Sequence, residues 1–388
     1  MRGSDIPFNP VFFAWALVTT DGCWLWCMRS TDLVIEGVTI SHYESFLTDV
    51  KQLSLDEFIA GSNCNWAIAR GIGEKAIKNV SVSSVSAAKA VKNPTEIQGF
   101  RQCHVRDAAA LCEFFAWLEE QKSDVTECQA ADKLESFRKQ KEHFVGLSFD
   151  TIAGSGPNGA IIHYKPEHES CSALHRDKLF LLDSGAQYLD GTTDVTRTIH
   201  LGTPSQEERD SFTRVLMGCL DLQAAVFPEG TSGFQLDLLA RRHLWAAGLD
   251  FAHGTGHGVG HFLNVHEGPQ SISCSVRSND VPLKPGMTVT DEPGYYKDGH
   301  YGIRNENVLI VKEANLDNTF RDTKYLTFEN VTMVPYQVSL LELHLLEKKH
   351  VSLINEHHAR CLELVMPLLE PNSSAARWLE KATRPINQ

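Results

Sequence analysis

Four histidines fall within fourteen residues of the stretch HGTGHGVGHFLNVHEGP: His253, His257, His261 and His266, the first three spaced by glycine-rich steps. Imidazole both binds divalent metals and exchanges protons near neutral pH, so the cluster could be a ligand set, an acid–base apparatus or both. Four acids elsewhere bear on the choice. Asp183 closes the apolar run LFLL, Asp194 sits in TTDVTRT, Glu292 follows TVTD, and Glu306 heads NVLIV with Arg304 two residues earlier. Taken one at a time, each acid reads as a strand-end or surface residue. As a set they bring four negative charges to buried-looking strands, which repulsion and lost hydration oppose unless something neutralises them. Two divalent cations would do so, and one imidazole from the glycine-rich stretch would complete the site. Hard oxygen donors with a single nitrogen suit manganese, cobalt, iron or zinc. Two such ions about 3.5–4 Å apart can activate a shared water for hydrolysis.

Positioning these residues requires an ordered frame. The run VFFAWALV (residues 11–18) reads as a buried strand. Residues 85–96 form a Lys-rich turn with Pro94, a domain junction. Beyond it, Ile97, His104, Ala108, Leu111, Phe115 and Leu118 recur at helical steps. Thr126 with Gln129, and Ser205 with Glu208, have capping-box spacing and open two more helices, the latter reaching about Phe227. A further helix is expected from about Phe234 to Ala247. Residues 178–202 are two β-rich runs about an Asp-Gly turn, a hairpin on whose arms Asp183 and Asp194 lie. Arg304 and Glu306, two apart, would share a strand face. The C-terminal part reads as helix from Leu340 to about Leu369. Helix pairs alternating with hairpins indicate an α+β fold.

Composition bounds the function. The 388 residues are 42% hydrophobic and 22% charged, with a net charge of −13. That balance describes a soluble globular chain, and it excludes a general nucleic-acid binder, which needs a basic surface. No stretch approaches the about 20 apolar residues of a membrane span. Ten cysteines are scattered without a CxxC pair, which fits buried thiols in a reducing cytoplasm rather than a zinc ribbon.

The ordered set LLDSGAQYLDGTTDVTRT, HGTGHGVG, NVHEGP, TDEPGYY and GIRNEN resembles the eukaryotic, cytosolic-type Xaa-Pro aminopeptidases, metallopeptidases of the pita-bread fold. The resemblance runs from GSDIPFNP to WLEKATRPI. It implies a partial creatinase-like α/β domain over residues 1–88 and a pita-bread catalytic domain with a helical C-terminal extension over 89–388. It also implies two divalent cations, most often Mn2+, held by Asp183, Asp194, His257, Glu292 and Glu306. His163, His253 and His266 then contact substrate and handle protons, Arg304 fixes a ligand carboxylate, and Tyr296 lines the proline pocket or packs beside it. His261 has no role. The glycines at 254, 256, 258 and 260 would let backbone and substrate approach the metals. The implied reaction cleaves the N-terminal residue from peptides with proline second, in a cytoplasmic homodimer. The implied alternatives are a weakly active or non-catalytic relative working through partners, and a prolidase-like dipeptidase.

Two departures from the family stand out. The chain begins at a stretch matching the interior of a second N-terminal domain, so a shortened form is expected. Asn305 occupies a position where an apolar residue is commoner, with an effect expected on packing alone.

Overall fold

The computed structural model describes residues 2–28, 34–52, 58–61, 64–72, 77–121, 123–275 and 280–387. They form two compact units, Met1–Lys89 and Ala90–Gln388.

In the first unit, strands β1 (Ala14–Val18), β2 (Cys23–Cys27) and β3 (Val38–His42) make one sheet in that order, with β1 antiparallel and β3 parallel to β2. Helix α1 (Phe46–Gln52), strand β4 (Phe58–Gly61), helix α2 (Trp66–Ile72), strand β5 (Ile77–Val80) and helix α3 (Ser84–Ala90) follow. The expectation of a buried first strand fails. β1 is a sheet edge with one covered face: Trp15 and Leu17 pack toward Trp26 and Phe46, while Val18 is 74% exposed.

The second unit opens on α4 (Pro94–Glu120), where Asn93 and Glu96 cap each other's backbone and Pro94 occupies a first-turn position that needs no N–H. His104, Ala108, Leu111, Phe115 and Leu118 are buried along it, as their spacing requires. The Thr126–Gln129 box starts α5 (Glu127–Arg138), followed by β6 (Phe144–Leu147) and β7 (Ile152–Ser155).

The hairpin comprises β8 (Leu179–Ser184), β9 (Ala186–Tyr188), β10 (Gly191–Thr192) and β11 (Val195–His200). β8 pairs antiparallel with β11, setting Asp183 opposite Thr196, and β9 pairs with β10 across the turn. Between β8 and β9, a Cβ on Gly185 would lie 2.0 Å from the Thr193 carbonyl oxygen, so glycine is obligatory there. Phe180 and Leu182 of β8 enter a core with Phe114, Phe115, Leu134, Val365 and Leu379. Each such side chain contributes roughly 2–3 kcal/mol of burial. Leu179 joins the opposite cluster with Phe212 and Leu216. Alternation therefore puts Asp183 on the Leu179 face, away from the first core.

α6 (Gln206–Gln223) has the expected cap but stops short of Phe227, because β12 (Val226–Pro228) pairs instead with β19 (Tyr325–Asn330). The chain continues through α7 (Gly233–Trp245), β13 (Gly256–His257), β14 (Ser271–Ile272), β15 (Thr288–Asp291), β16 (Gly294–Lys297), β17 (Tyr301–Arg304), β18 (Asn307–Glu313) and β19 (Tyr325–Asn330). A four-stranded sheet runs β12-β19-β18-β15, and β16 pairs with β17 separately. The single C-terminal helix resolves into short turns at Val338–Leu340 and Leu343–Leu345, then α8 (Lys348–Val365) and α9 (Ser374–Ala382). Helix cannot run through the earlier segment because the Glu342 N–H is taken by the Thr213 hydroxyl at 2.8 Å.

Candidate metal centre

The hairpin, β13, β15 and the β17–β18 junction bring the four acids together. Asp194, His257 and Glu306 offer ligand atoms that all lie within 4.8 Å of one another. His257 Nε2 also stands 3.5 Å from Asp194 Oδ2 and 3.6 Å from Glu292 Oε1. Asp183, Asp194 and Glu306 are buried. Burial, then the charges of Asp183 and Glu292, push the Asp194 carboxyl well above its usual range. Burial, then Asp194 and Glu292, do the same to Glu306. Glu292 is also raised, mainly by burial. Asp183 Oδ1 is buried with no hydrogen-bond partner among the described residues. These are acids held against their own repulsion.

Neutral donors orient them. Thr196 Oγ1 donates to Glu306 Oε2 at 2.7 Å, and Thr290 Oγ1 to Glu292 Oε1 at 3.3 Å. Thr290 Oγ1 also accepts the His257 N–H at 3.0 Å. His257 Nδ1 donates to the Gly258 carbonyl at 2.9 Å, which leaves Nε2 with its lone pair facing the acids. The glycines around His257 serve a different purpose from the one expected. A Cβ on Gly256 would lie 2.0 Å from the Thr290 carbonyl oxygen, and one on Gly258 1.9 Å from that of Glu267. They allow β13 to press against its own protein neighbours, while Gly254 has its nearest contact at 3.6 Å.

Arg304 is buried and enters the site from β17. It donates to Asp183 Oδ2 at 2.6 Å, to the Tyr296 hydroxyl at 2.7 Å and to Thr196 Oγ1 at 3.2 Å. Tyr296 in turn meets His253 Nε2 at 2.8 Å, and His253 Nδ1 lies 2.7 Å from the Gly254 carbonyl. One proton arrangement satisfies every link: Nδ1–H donates to the carbonyl, Nε2 accepts from tyrosine, and the tyrosine oxygen accepts from arginine. Burial, then Arg304, lowers the His253 pKa to about 4, which keeps it neutral. Tyr296 thus links the guanidinium to an imidazole. Arg304 and Glu306 do not share one strand, since β17 ends at Arg304 and β18 begins at Asn307.

The His266 ring lies edge-on to His257 with centroids 4.1 Å apart, and burial, then the charges of His257 and His163, lower its pKa to about 4. His163 is exposed on the loop after β7, within electrostatic reach of both His253 and His266. The His261 ring stands edge-on to Phe100 of α4 with centroids 5.8 Å apart. Asn305 is fully buried and neither end of its amide finds a hydrogen-bond partner among the described residues.

Several positioning residues escaped sequence reasoning. Thr196 and Thr198 alternate with Arg197 on the Asp194 face of β11, a period-two signal legible in TTDVTRT. Thr198 Oγ1 bonds both the N–H and the carbonyl of Arg304, joining β11 to β17. On α7, Arg241 donates to the His253 carbonyl at 2.8 Å, while Asp237 accepts from Thr255 at 2.6 Å. They fix the loop before His257, and nothing in their spacing pointed there.

A second cluster joins Asp221 of α6, His243 of α7 and His350 of α8. The Glu347 N–H donates to His350 Nδ1 at 3.2 Å, so Nε2 carries the proton and donates to Asp221 at 3.0 Å. Lys349 and Arg242 each reach Asp221 at 2.9 Å. Its carboxylate is already neutralised, and the cluster is an ion-pair clamp on α8.

Residues 98–313 match the model of metallopeptidase family M24, residues 324–386 that of the C-terminal region of peptidase M24, and residues 1–96 that of the creatinase/prolidase N-terminal domain. The whole chain aligns at 48% identity with a probable Xaa-Pro aminopeptidase P of Laccaria bicolor, covering 62% of that protein. With its Sclerotinia sclerotiorum counterpart the identity is 47%, covering 68%. The crystal structure of the Caenorhabditis elegans X-prolyl aminopeptidase, described as a cytosolic enzyme with a di-nuclear active site, superposes with a TM-score of 0.93 at 37% identity. That match covers 99% of this chain and 65% of the nematode one. The chain therefore spans a little under two thirds of several of the proteins it matches. The Xaa-Pro dipeptidase of Bacillus anthracis superposes with a TM-score of 0.65 at 25% identity, over 84% of this chain. The acid hairpin, the imidazole on β13 and the paired strands around them thus carry the pita-bread fold, and the chain belongs to metallopeptidase family M24.

Proposed function

We propose that the chain is a metallo-aminopeptidase that cleaves the bond between an N-terminal residue and a following proline. The observation that carries this reading is the convergence of Asp194, Glu292 and Glu306 on His257, with Asp183 close enough for its charge to act on Asp194 and Glu292 and its Oδ1 unpartnered among the described residues. Hard oxygens with one imidazole nitrogen fit two divalent cations, and manganese suits that donor set. When bound, they would supply a water of lowered pKa and polarise the scissile carbonyl.

The remaining roles belong to the chain. Arg304 fixes Asp183 and, through Tyr296, orients His253, which burial and then Arg304 keep neutral. His266, neutral beside His257, is placed to hold or release the proton that the departing proline nitrogen requires. His163, exposed on its loop, contacts the peptide. An X-Pro bond has no N–H to grip and a ring that restricts the residue before it, so recognition rests on carbonyls and ring shape. The names of the fungal and nematode relatives support the same substrate class. We also place the protein in the cytoplasm as a homodimer. The nematode neighbour's cytosolic description supports the first.

The test is release of arginine from Arg-Pro-Pro by the purified chain with added Mn2+, beside Asp194→Ala and a chelator control. Cleavage abolished by the substitution and by the chelator is expected. Undiminished cleavage in either control, or none by the wild-type chain with metal, would overturn the reading. Sedimentation velocity checks the dimer.

A further inference from the structure

Two thiols meet on the far side of the His163 loop. Residues 125–127 run antiparallel to 172–174. Thr126 stands opposite Ala173, the Glu127 N–H donates to the Ser172 carbonyl at 2.9 Å, and the Leu174 N–H to the Val125 carbonyl at 2.7 Å. This bonding makes Thr126–Ala173 a non-hydrogen-bonded pair. Cys128 and Cys171 each lie two residues beyond this bridge at the same end of it, Cys128 already in the first turn of α5. The chain turns into α5 at this point, yet the Cys171 sulfur still lies within hydrogen-bonding reach of the Cys128 thiol, the Cys128 N–H and the Thr126 hydroxyl. Cys128 is buried but lines a cleft of about 210 Å³ with Asp132, Asp150, Lys165 and His168. Both thiols are free.

The surroundings separate their roles. Burial opposes ionisation at both sulfurs. At Cys171 the three accepted hydrogen bonds outweigh it and lower the pKa, whereas the Cys128 thiol is raised by burial and then by donating to Cys171. Thiolates, not thiols, attack oxidants.

We propose that Cys128 and Cys171 are a peroxide-oxidisable pair whose disulfide ties the loop bearing His163 to the start of α5. The Cys171 thiolate attacks the peroxide O–O bond, giving a sulfenic acid and, after protonation, one water. The Cys128 thiol then attacks that sulfur, and the sulfenic oxygen leaves as a second water. Two thiols lose two electrons and two protons, and one hydrogen peroxide becomes two waters. The bond adds to a loop already gathered on Glu127, which is buried and accepts from the Tyr164 hydroxyl at 2.7 Å, the Ser155 N–H at 2.7 Å and the Ser172 N–H at 2.8 Å. A thiol reductant would reverse it.

This inference goes beyond the peptidase reading, and its readout is independent of activity. The metal-free full-length chain is treated with stoichiometric hydrogen peroxide and mapped by non-reducing tryptic digestion. The expected product joins the peptide 123–133 to the peptide 142–176 with loss of two hydrogens, and dithiothreitol separates them. Cys128→Ser should leave a sulfenic acid at Cys171 that dimedone traps, and amide exchange across residues 160–172 should slow on oxidation of the wild type. Oxidation at other cysteines with no 128–171 link would overturn the pair. A link that leaves the exchange of 160–172 unchanged would overturn its effect on the loop.

Discussion

Arg304→Lys separates the charge of this residue from its shape. The guanidinium serves three acceptors on three strands: Asp183 Oδ2 on β8, Thr196 Oγ1 on β11 and the Tyr296 hydroxyl on β16. A lysine ammonium is a point donor and can keep the Asp183 bond, but it cannot span to Tyr296 as well. The charge-assisted bond to Tyr296 is worth about 1.5–3 kcal/mol, and its loss frees both the tyrosine and the Asp183 carboxylate to turn. Substitutions that let a ligand carboxylate reorient lower metal affinity by about 10–100-fold, or roughly 1.4–2.7 kcal/mol. Competition titration of Mn2+ against a chelator measures the affinity, and urea unfolding of the metal-free chain measures stability. A cycle with Tyr296→Phe locates the effect: the phenylalanine change should cost about 1–2 kcal/mol less in the lysine background than in the wild type. Strict additivity, with Mn2+ affinity unchanged by the lysine, would refute the argument that this arginine acts through its geometry.

Three other outcomes follow from buried groups. Burial lowers His104 and His358 from 6.5 to about 4, so as pH falls the unfolded chain takes up their protons before the folded one. Stability must drop between pH 6.5 and 4, by roughly 3 kcal/mol for each histidine. His104→Leu should therefore flatten the urea-midpoint profile against pH over that window, and an unchanged slope would exclude His104 from it. Gly256→Ala places a Cβ where the Thr290 carbonyl oxygen stands at 2.0 Å, forcing β13 from β15 and His257 with it. About 1–3 kcal/mol of stability and most of the metal affinity should go together, measured by unfolding and by chelator titration. Asn305→Leu replaces an unpartnered buried amide with an apolar group of the same branched shape and should stabilise the chain by about 1–3 kcal/mol, read by the same unfolding assay. A destabilised variant would mean the amide has a hidden partner.

Local signals in the sequence carried far. The Thr126–Gln129 and Ser205–Glu208 boxes open helices where their spacing says, and the Asp-Gly turn lies inside the hairpin that presents Asp183 and Asp194. What stayed hidden was set by distant partners. α6 stops early because β12 finds β19, and the segment around Glu342 is drawn off its helix by Thr213. The same limit applied to Arg304 and Glu306. Their two-residue spacing pointed to one strand face, but the chain leaves β17 and enters β18 between them. Both still arrive at the acids, because Thr198 bonds the Arg304 backbone while Thr196 bonds the Glu306 carboxylate and the Arg304 side chain. That makes β11 the element from which the centre is measured, following directly on Asp194 and carrying the two hydroxyls that place Glu306 and Arg304. Replacing a hydroxyl there should displace groups more than a hundred residues away in sequence, a dependence that spacing alone does not reveal.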